Sequence, residues 1–287
     1  MNRESNNHAI AKLAKVMKVS RSGYYAWLQD KESDSKINRD IVKLRILKIY
    51  LDSKKIYGAP KITAILRKEG FSTALRTVSK YMNELGIKSI VVKKFKPQTK
   101  KRADVGYENR LNQEFRTDRP NRVWVTDITY IWTRKDKWVY LASVMDLYSR
   151  KIVGYEVSKK MNTDLIKKAL ANAVAERGNP EEIIHHSDRG SQYTSEAYLN
   201  MLKMFNFEIS LSAKGNCYDN ACIEAFHSIL KKEYVYTRSF EKLEDLKLGL
   251  FQYIEGFYNF RRIHGTLGYI SPTEFEEAYF KAKDSAA

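Results

Sequence analysis

One stretch of the chain, residues 121–234, constrains the fold more than any other. Three runs rich in β-branched and aromatic residues, 122–133 (RVWVTDITYIWT), 138–148 and 151–157, follow one another across gaps too short for a helix. They predict three antiparallel strands in a meander. The period then changes: residues 163–177 place Leu165, Ile166, Ala169, Leu170, Ala173 and Val174 on one side of a helix. A short strand at 182–186 ends in Ser187-Asp188-Arg189-Gly190, and a helix at 196–205, a strand at 207–211 and a helix at 221–234 follow. The order β-β-β-α-β-α-β-α predicts an α/β core with a five-stranded mixed sheet and flanking helices.

The front of the chain has a different character. Residues 9–28 read as two short helices, with Ser20 placed to cap the second. A second pair covers 59–86. Pro60 suits a helix start, Gly70 ends that helix, Ser72 or Thr73 caps the next, and Gly86 closes it. In the last helix Leu75, Val78, Met82 and Leu85 line one face and leave Arg76, Thr77, Ser79, Lys80 and Asn83 outside. A helix pair with a polar, basic outer face fits a helix-turn-helix, whose second helix enters the major groove; an ordinary helical hairpin has the same pattern. Charge favours the first. Residues 1–110 hold 26 Lys and Arg against 10 Asp and Glu, whereas the rest hold 25 against 24. Excess charge confined to one part suggests a polyanion partner engaged there. Residues 88–102 (KSIVVKKFKPQTKKR) contain seven basic residues and no acid, so they read as a linker able to lie along phosphates, Lys93 and Lys94 included.

Three carboxylates carry the chemistry. Asp127 stands in the middle of the first apolar run, where a carboxylate is costly unless it is paired or binds metal; alternation could instead turn it to water. Asp188 closes the fourth strand, where α/β sheets place ligands, or it merely forms a turn. Glu224 shares a helix face with Asn220 and Lys231, four residues before it and seven after. If the fourth strand pairs beside the first, the two aspartates come together, and a helix packed on the sheet can add Glu224. Three ionised carboxylates at such range repel, and hard divalent cations, Mg²⁺ or Mn²⁺, relieve that. Two such ions suit phosphoryl transfer.

The stretches WVTDITYIWT, HHSDRGSQYTS and GNCYDNACIEAFHSILKKE resemble the three catalytic blocks of the IS-three family of bacterial insertion-sequence transposases. Thirty-five residues separate Asp188 from Glu224, a spacing that this family and retroviral integrases share, and Lys231 matches the basic residue that follows in that pattern. KVSRSGYYAW and IYGAPKITAILRKEG resemble the family's N-terminal blocks, and YNFRRIHGTLGYISP its closing motif, with Ile263 where the family usually has Pro. The resemblance implies an RNase H-like core with two Mg²⁺ ions held by Asp127, Asp188 and Glu224. It also implies nicking at transposon ends, then attack of the 3′-hydroxyl on a phosphodiester. On that reading the units are a helical DNA-binding region (1–87), a basic linker (88–120), the catalytic core (121–240) and a C-terminal helical extension (241–287). The partners would be DNA, further copies of the chain as a homo-oligomer on DNA, and an upstream reading-frame product as a fusion. The setting would be a cytoplasmic, nucleoid-associated protein of a bacterium.

Secondary features have plainer readings. Cys217 and Cys222 read as buried thiols rather than zinc ligands, and two cysteines imply no disulfide framework. The first residues lack a signal peptide's apolar segment, and no run approaches the length of a membrane helix. One of His185 and His186 is expected in the core and the other near the metals; His227 is either packed or close to the scissile phosphate. Asp219 and Asn220 shape the approach to the catalytic helix, with Asn220 also able to bond a phosphate. Asp146 reads as structural. Arg262 and His264 are the tail's candidates for the DNA backbone, or else structural. Two other functions compete: an RNase H-like nuclease that cuts without joining, and a catalytically silent DNA-binding regulator.

Overall fold

Helix-forming sequence fills the first part of the chain. The computed structural model describes residues 9–28, 34–91, 107–213 and 217–286, so Lys93, Lys94 and the rest of 92–106 in the basic linker lie outside the described residues. Helices α1 (Ile10–Val16) and α2 (Arg21–Leu28) form the first pair. The Ser20 hydroxyl accepts the Gly23 N–H at 2.9 Å, satisfying an orphan donor at the start of α2. Helix α3 (Asp34–Asp52) has no counterpart in the sequence reading. Its apolar residues lie all round and only Ile46, Ile49 and Tyr50 are buried, so no stripe marks it.

Helices α4 (Ala59–Lys68) and α5 (Leu75–Glu84) form the expected second pair. Gly70 (φ 90°) and Gly86 (φ 66°) lie just past their ends, in the left-handed region that glycine enters without a Cβ clash. Two details differ from expectation. Ala74, with no side-chain cap bond, is the N-cap of α5, and Leu75 is 48% exposed. Val78 and Met82 do pack inward, with Ile46, Ile62 and Leu66.

The predicted meander is β1 (Val123–Thr133), β2 (Lys137–Asp146) and β3 (Ile152–Ser158). Strands β4 (Ile184–Ser187) and β5 (Glu208–Leu211) pair in parallel, giving the order β3-β2-β1-β4-β5. The two-residue period sorts the faces. Val123, Val125 and Ile131 join Val139, Leu141 and Met145 against Ile223, Phe226 and Leu230 of α8 (Ala221–Leu230). Trp124, Ala142, Val144 and Val153 pack against α6 (Thr163–Glu176) and α7 (Glu196–Met204). Each aliphatic side chain so enclosed contributes about 1.5–3 kcal/mol. Gly154 of β3 allows α6 its close approach: a Cβ there would stand 2.5 Å from both the Ala169 carbonyl oxygen and the Ala173 nitrogen.

Helix α8 and the later α9 (Leu243–Tyr253) each run on into a π-helical turn, Lys231–Val235 and Ile254–Asn259. The 221–234 helix is therefore right in extent but not in winding. The chain closes with α10 (Pro272–Ala286). Between them the tail folds back. The Asn259 side chain accepts the Ile152 N–H at 3.0 Å and donates to the Ile152 carbonyl at 2.9 Å, standing in for a strand neighbour at the start of β3. Tyr57 donates to the Arg261 carbonyl at 3.2 Å and accepts the Ile263 N–H at 3.0 Å, which ties the tail to the N-terminal helices. Asp146 is fully buried and accepts the Asn121 and Tyr148 N–H groups. Burial pushes its carboxyl up to about 6 against the pull of Arg177, as a structural group. Among the described residues no helix is long and apolar enough to cross a membrane.

Candidate active site

The register of two strands builds the site. Parallel pairing of β1 with β4 runs from Val123↔Ile184 to Thr126↔Ser187, so the next position on each is Asp127 and Asp188. Asp127 keeps the parity of Val125 and faces α8, across from Ser143 of β2. It is not turned fully to water: its side chain is 20% exposed. Asp188 begins the loop beyond β4, and its Oδ1 accepts the Gly190 N–H at 2.7 Å. A Cβ on Gly190 would meet that oxygen at 2.9 Å and press on the Asp188 carboxylate. The adjacent guanidinium of Arg189 donates to the carbonyls of Ser212 and Tyr107, pinning the loop to the far side of the sheet.

Helix α8 brings the third carboxylate. Ile223, Phe226, His227 and Leu230 are its buried side, and Glu224, in its first turn, is exposed. A carboxylate there also suits the positive end of the helix dipole. His227 is packed rather than open to solvent: Nδ1 lies 3.4 Å from Asp127 Oδ2 and Nε2 3.2 Å from the Ser143 hydroxyl. Asn220 is 3% exposed and donates from Nδ2 to the Thr126 carbonyl at 3.0 Å. It therefore fastens the start of α8 to β1 one residue before Asp127, and does not present its amide to a DNA phosphate. Asp219 accepts the Ala213 N–H at 2.7 Å and a Gln113 amide N–H at 3.2 Å, which shapes the turn into α8. Among the described residues no three His, Cys, Asp or Glu side chains are gathered closely enough, as they stand, to hold a metal ion.

Lys231 begins the π-helical turn. Its ammonium lies 4.4 Å from the centre of the Tyr130 ring, half-buried. Burial lowers its pKa, and the charge of Asp127 opposes that shift. The seven-residue offset thus carries Lys231 along α8 to the Asp127 side of the site.

Known proteins share this arrangement in sequence. Residues 117–217 and 224–280 match models of an integrase core domain, and 36–95 an HTH-like domain. The transposase InsF for insertion sequence IS3A of Escherichia coli (strain K12) is 38% identical over 271 residues, 93% of this chain and 94% of that one. The chain belongs to the IS3 (IS-three) family of transposases. A 31 kDa protein of insertion element IS600 from Shigella sonnei is 37% identical, over 93% of this chain and 98% of that one. Among solved structures, the HTLV-2 integrase catalytic core domain in complex with magnesium aligns at 16% identity and a TM-score of 0.42, over 55% of this chain and 97% of that one. The IS3-family chain is thus a polynucleotidyl transferase, with a five-stranded integrase core behind an HTH-like helical region.

Several sequence expectations need correction in this transposase. Both His185 and His186 are buried, at 1% and 0% exposure. His185 shares a hydrogen bond with the Tyr198 hydroxyl and His186 with those of Ser210 and Ser212, so neither reaches a metal. Arg262 and His264, read as contacts to the DNA backbone or else as structural, are 6% and 7% exposed, which favours the second reading. Arg262 donates to both oxygens of Glu233, at 2.9 and 2.7 Å, and the His264 ring stands 3.3 Å from its Nη1. Arg76 and Lys80 are exposed on α5, where Lys80 makes only a loose 3.8 Å pair with Glu84. Cys222 is a half-buried free thiol. The reading missed Ser143 and Glu233. Ser143 could have been found from its place among the hydrophobic residues of β2.

Proposed function

We propose that this transposase nicks the ends of an insertion sequence and joins the freed 3′-hydroxyls to DNA through Asp127, Asp188 and Glu224. The observation that carries this reading is the β1–β4 register, which stops one residue short of the two aspartates beneath the helix that bears Glu224. All three are hard oxygen donors, the chemistry that Mg²⁺ or Mn²⁺ prefers. Two such ions, when bound, would activate the attacking oxygen and stabilise the leaving one. Closing the set falls to Glu224, whose exposed side chain can change rotamer without disturbing the core.

The remaining residues hold and align. His227 and Ser143 support Asp127 from the α8 side, and Asn220 keeps α8 in register with β1. Lys231 offers a point charge to the phosphate next to the scissile bond. Arg76 and Lys80 on α5, together with Lys93 and Lys94, engage backbone phosphates and fix the DNA without reading its bases. Joining two ends requires both to be held at once, so the active form is a homo-oligomer on DNA.

The test is Mg²⁺-dependent nicking and strand transfer on a transposon-end duplex with Asp127→Asn, Asp188→Asn and Glu224→Gln. Loss of a group that merely supports a metal ligand costs about 10–100-fold, so loss of a ligand itself should cost each variant at least ~100-fold in both activities. DNA binding should persist. Substantial activity in any one variant removes that residue from the site, and nicking without joining in the wild type returns the nuclease reading.

A further inference from the structure

The β1–β2 hairpin carries an aromatic cluster that the catalytic reading leaves unused. Strand β1 runs to Thr133, but β4 pairs with it only as far as Thr126. Beyond that point Tyr130, Trp132 and Trp138 stand together on the face that α6 and α7 cover nearer Trp124. Trp132 is directly opposite Trp138 across the pair, with ring centres 5.0 Å apart, and Tyr130 lies 5.1 Å from Trp138. Both contacts are edge-to-face. The three side chains are 53%, 47% and 49% exposed. Isolated exposed aromatics are ordinary, but three in contact form a patch that marks an interaction site.

We propose that this cluster is a stacking platform for unpaired bases of the DNA strand held beside the active centre. The inference rests on the proposed action on DNA ends. Cations flank the rings: Lys231 lies 4.4 Å from the centre of Tyr130 and Lys137 5.5 Å from that of Trp132. The hairpin turn adds Arg134 and Lys135, which share Glu241 only loosely at 3.8 Å, while its acid, Asp136, is held by Lys159 at 2.7 Å and by the Leu243 N–H. Aromatic faces among cations are complementary to a single strand, because every base offers a π-face and every linkage a negative charge. A second copy of the chain would bring the same cations and be repelled. Duplex bases hide their faces in the stack, which restricts the platform to unpaired nucleotides. Tyr130 lies on the opposite face of the sheet from Asp127, reached round the edge of β1 that β4 leaves unpaired and where Lys231 contacts its ring. It is three residues along the strand, about 10 Å at ~3.3 Å per residue. That is roughly the rise of three nucleotides along one strand.

Tryptophan fluorescence reads the platform directly in the full chain. The four tryptophans are Trp27, Trp124, Trp132 and Trp138; Trp124 is fully buried and Trp27 is 59% exposed. In a Trp27→Phe background, quenching by DNA therefore reports on Trp132 and Trp138. The probes are a transposon-end duplex with a three-nucleotide single-stranded overhang and its blunt counterpart, at matched salt. The overhang duplex should quench strongly and bind about tenfold more tightly than the blunt one, in line with one stacked base. Trp132→Ala with Trp138→Ala should abolish that preference, read by anisotropy of labelled DNA, while blunt-duplex affinity and the circular dichroism spectrum are retained. Equal affinity of the wild type for both probes, or a preference that survives the double substitution, overturns the proposal. So does a cluster that serves only to dimerise the chain, seen as wild-type dimers and variant monomers in sedimentation with the preference unchanged. The catalytic reading fails separately: Asp127→Asn should lose nicking yet keep the overhang preference.

Discussion

Lowering the pH from 7 to 5 should strongly destabilise this transposase through three buried histidines. His185, His186 and His264 are at most 7% exposed. Burial, followed by the charge of His186, holds His185 down to about 3. Burial holds His186 down to about 4 against the opposing charge of Asp219. Burial, with Arg262, Lys61 and Arg150 nearby, holds His264 down to about 2. Each titrates near 6.5 once unfolded. Below that pH the unfolded chain binds protons that the fold refuses, so stability is complete above 6.5 and declines as pH falls toward 4 and beyond. At pH 5 each histidine favours unfolding by about 2 kcal/mol, and the three by about 6. Asp146 works the other way. Its folded carboxyl, raised to about 6 from 3.8, takes up a proton before the unfolded one does and returns roughly 1.4 kcal/mol at pH 5. The net loss, about 4–5 kcal/mol, is a large share of the 5–15 kcal/mol typical of a folded protein. Urea denaturation of the DNA-free protein at pH 7.5, 6.5, 5.5 and 5.0, followed by circular dichroism, measures it. A midpoint that stays level or rises between pH 7 and 5 would refute the buried, neutral state of these rings.

Two substitutions probe particular contacts. Lys231→Ala should weaken nicking and joining about 10–100-fold at sub-saturating DNA, the range for a lost charge-assisted bond, with Lys231→Arg recovering part of it; full activity in the alanine variant would return Lys231 to a surface role. Gly154→Ala should destabilise the core by about 3 kcal/mol, since its Cβ would stand 2.5 Å from the backbone of α6; an unchanged urea midpoint would show that α6 can retreat.

Much of the fold was legible because its signals are local. Alternation in 122–157, the stripe of Leu165–Val174 and the glycines at 70 and 86 each name an element without help from the rest of the chain. Helix α3 was not, because its apolar residues spread round the axis and only its C-terminal part is buried. That Asp127 and Asp188 would come to neighbouring strand positions was legible, because a short strand ending in Asp188 could pair beside the apolar run that carries Asp127. The environments of the other polar residues were not legible. Nothing local to Asn220 says that its amide will reach the Thr126 carbonyl, 94 residues away in the chain. Nor does the tail reveal a partner for Arg262, since that partner, Glu233, lies 29 residues earlier in the π-helical turn after α8.

That last contact links parts of the chain that sequence treats as separate. Glu233 sits two residues after Lys231 in the same π-helical turn. It accepts from Nε and Nη2 of Arg262 and, at 2.9 Å, from the Tyr253 hydroxyl, with both charged partners inside the protein. Removing one member of such a buried pair leaves an uncompensated charge, at about 3–5 kcal/mol, so the tail holds the turn firmly in place. The same tail segment is bound on its other side by Tyr57, over whose ring Lys61 lies at 4.6 Å. Burial lowers the Lys61 ammonium to about 8, which leaves it largely charged at neutral pH and adds a further reason for His264 to remain neutral. The closing motif thus packs the HTH-like front against the turn that aims Lys231 at Asp127. Its arginine is engaged inside the protein, on Glu233, rather than presented to DNA.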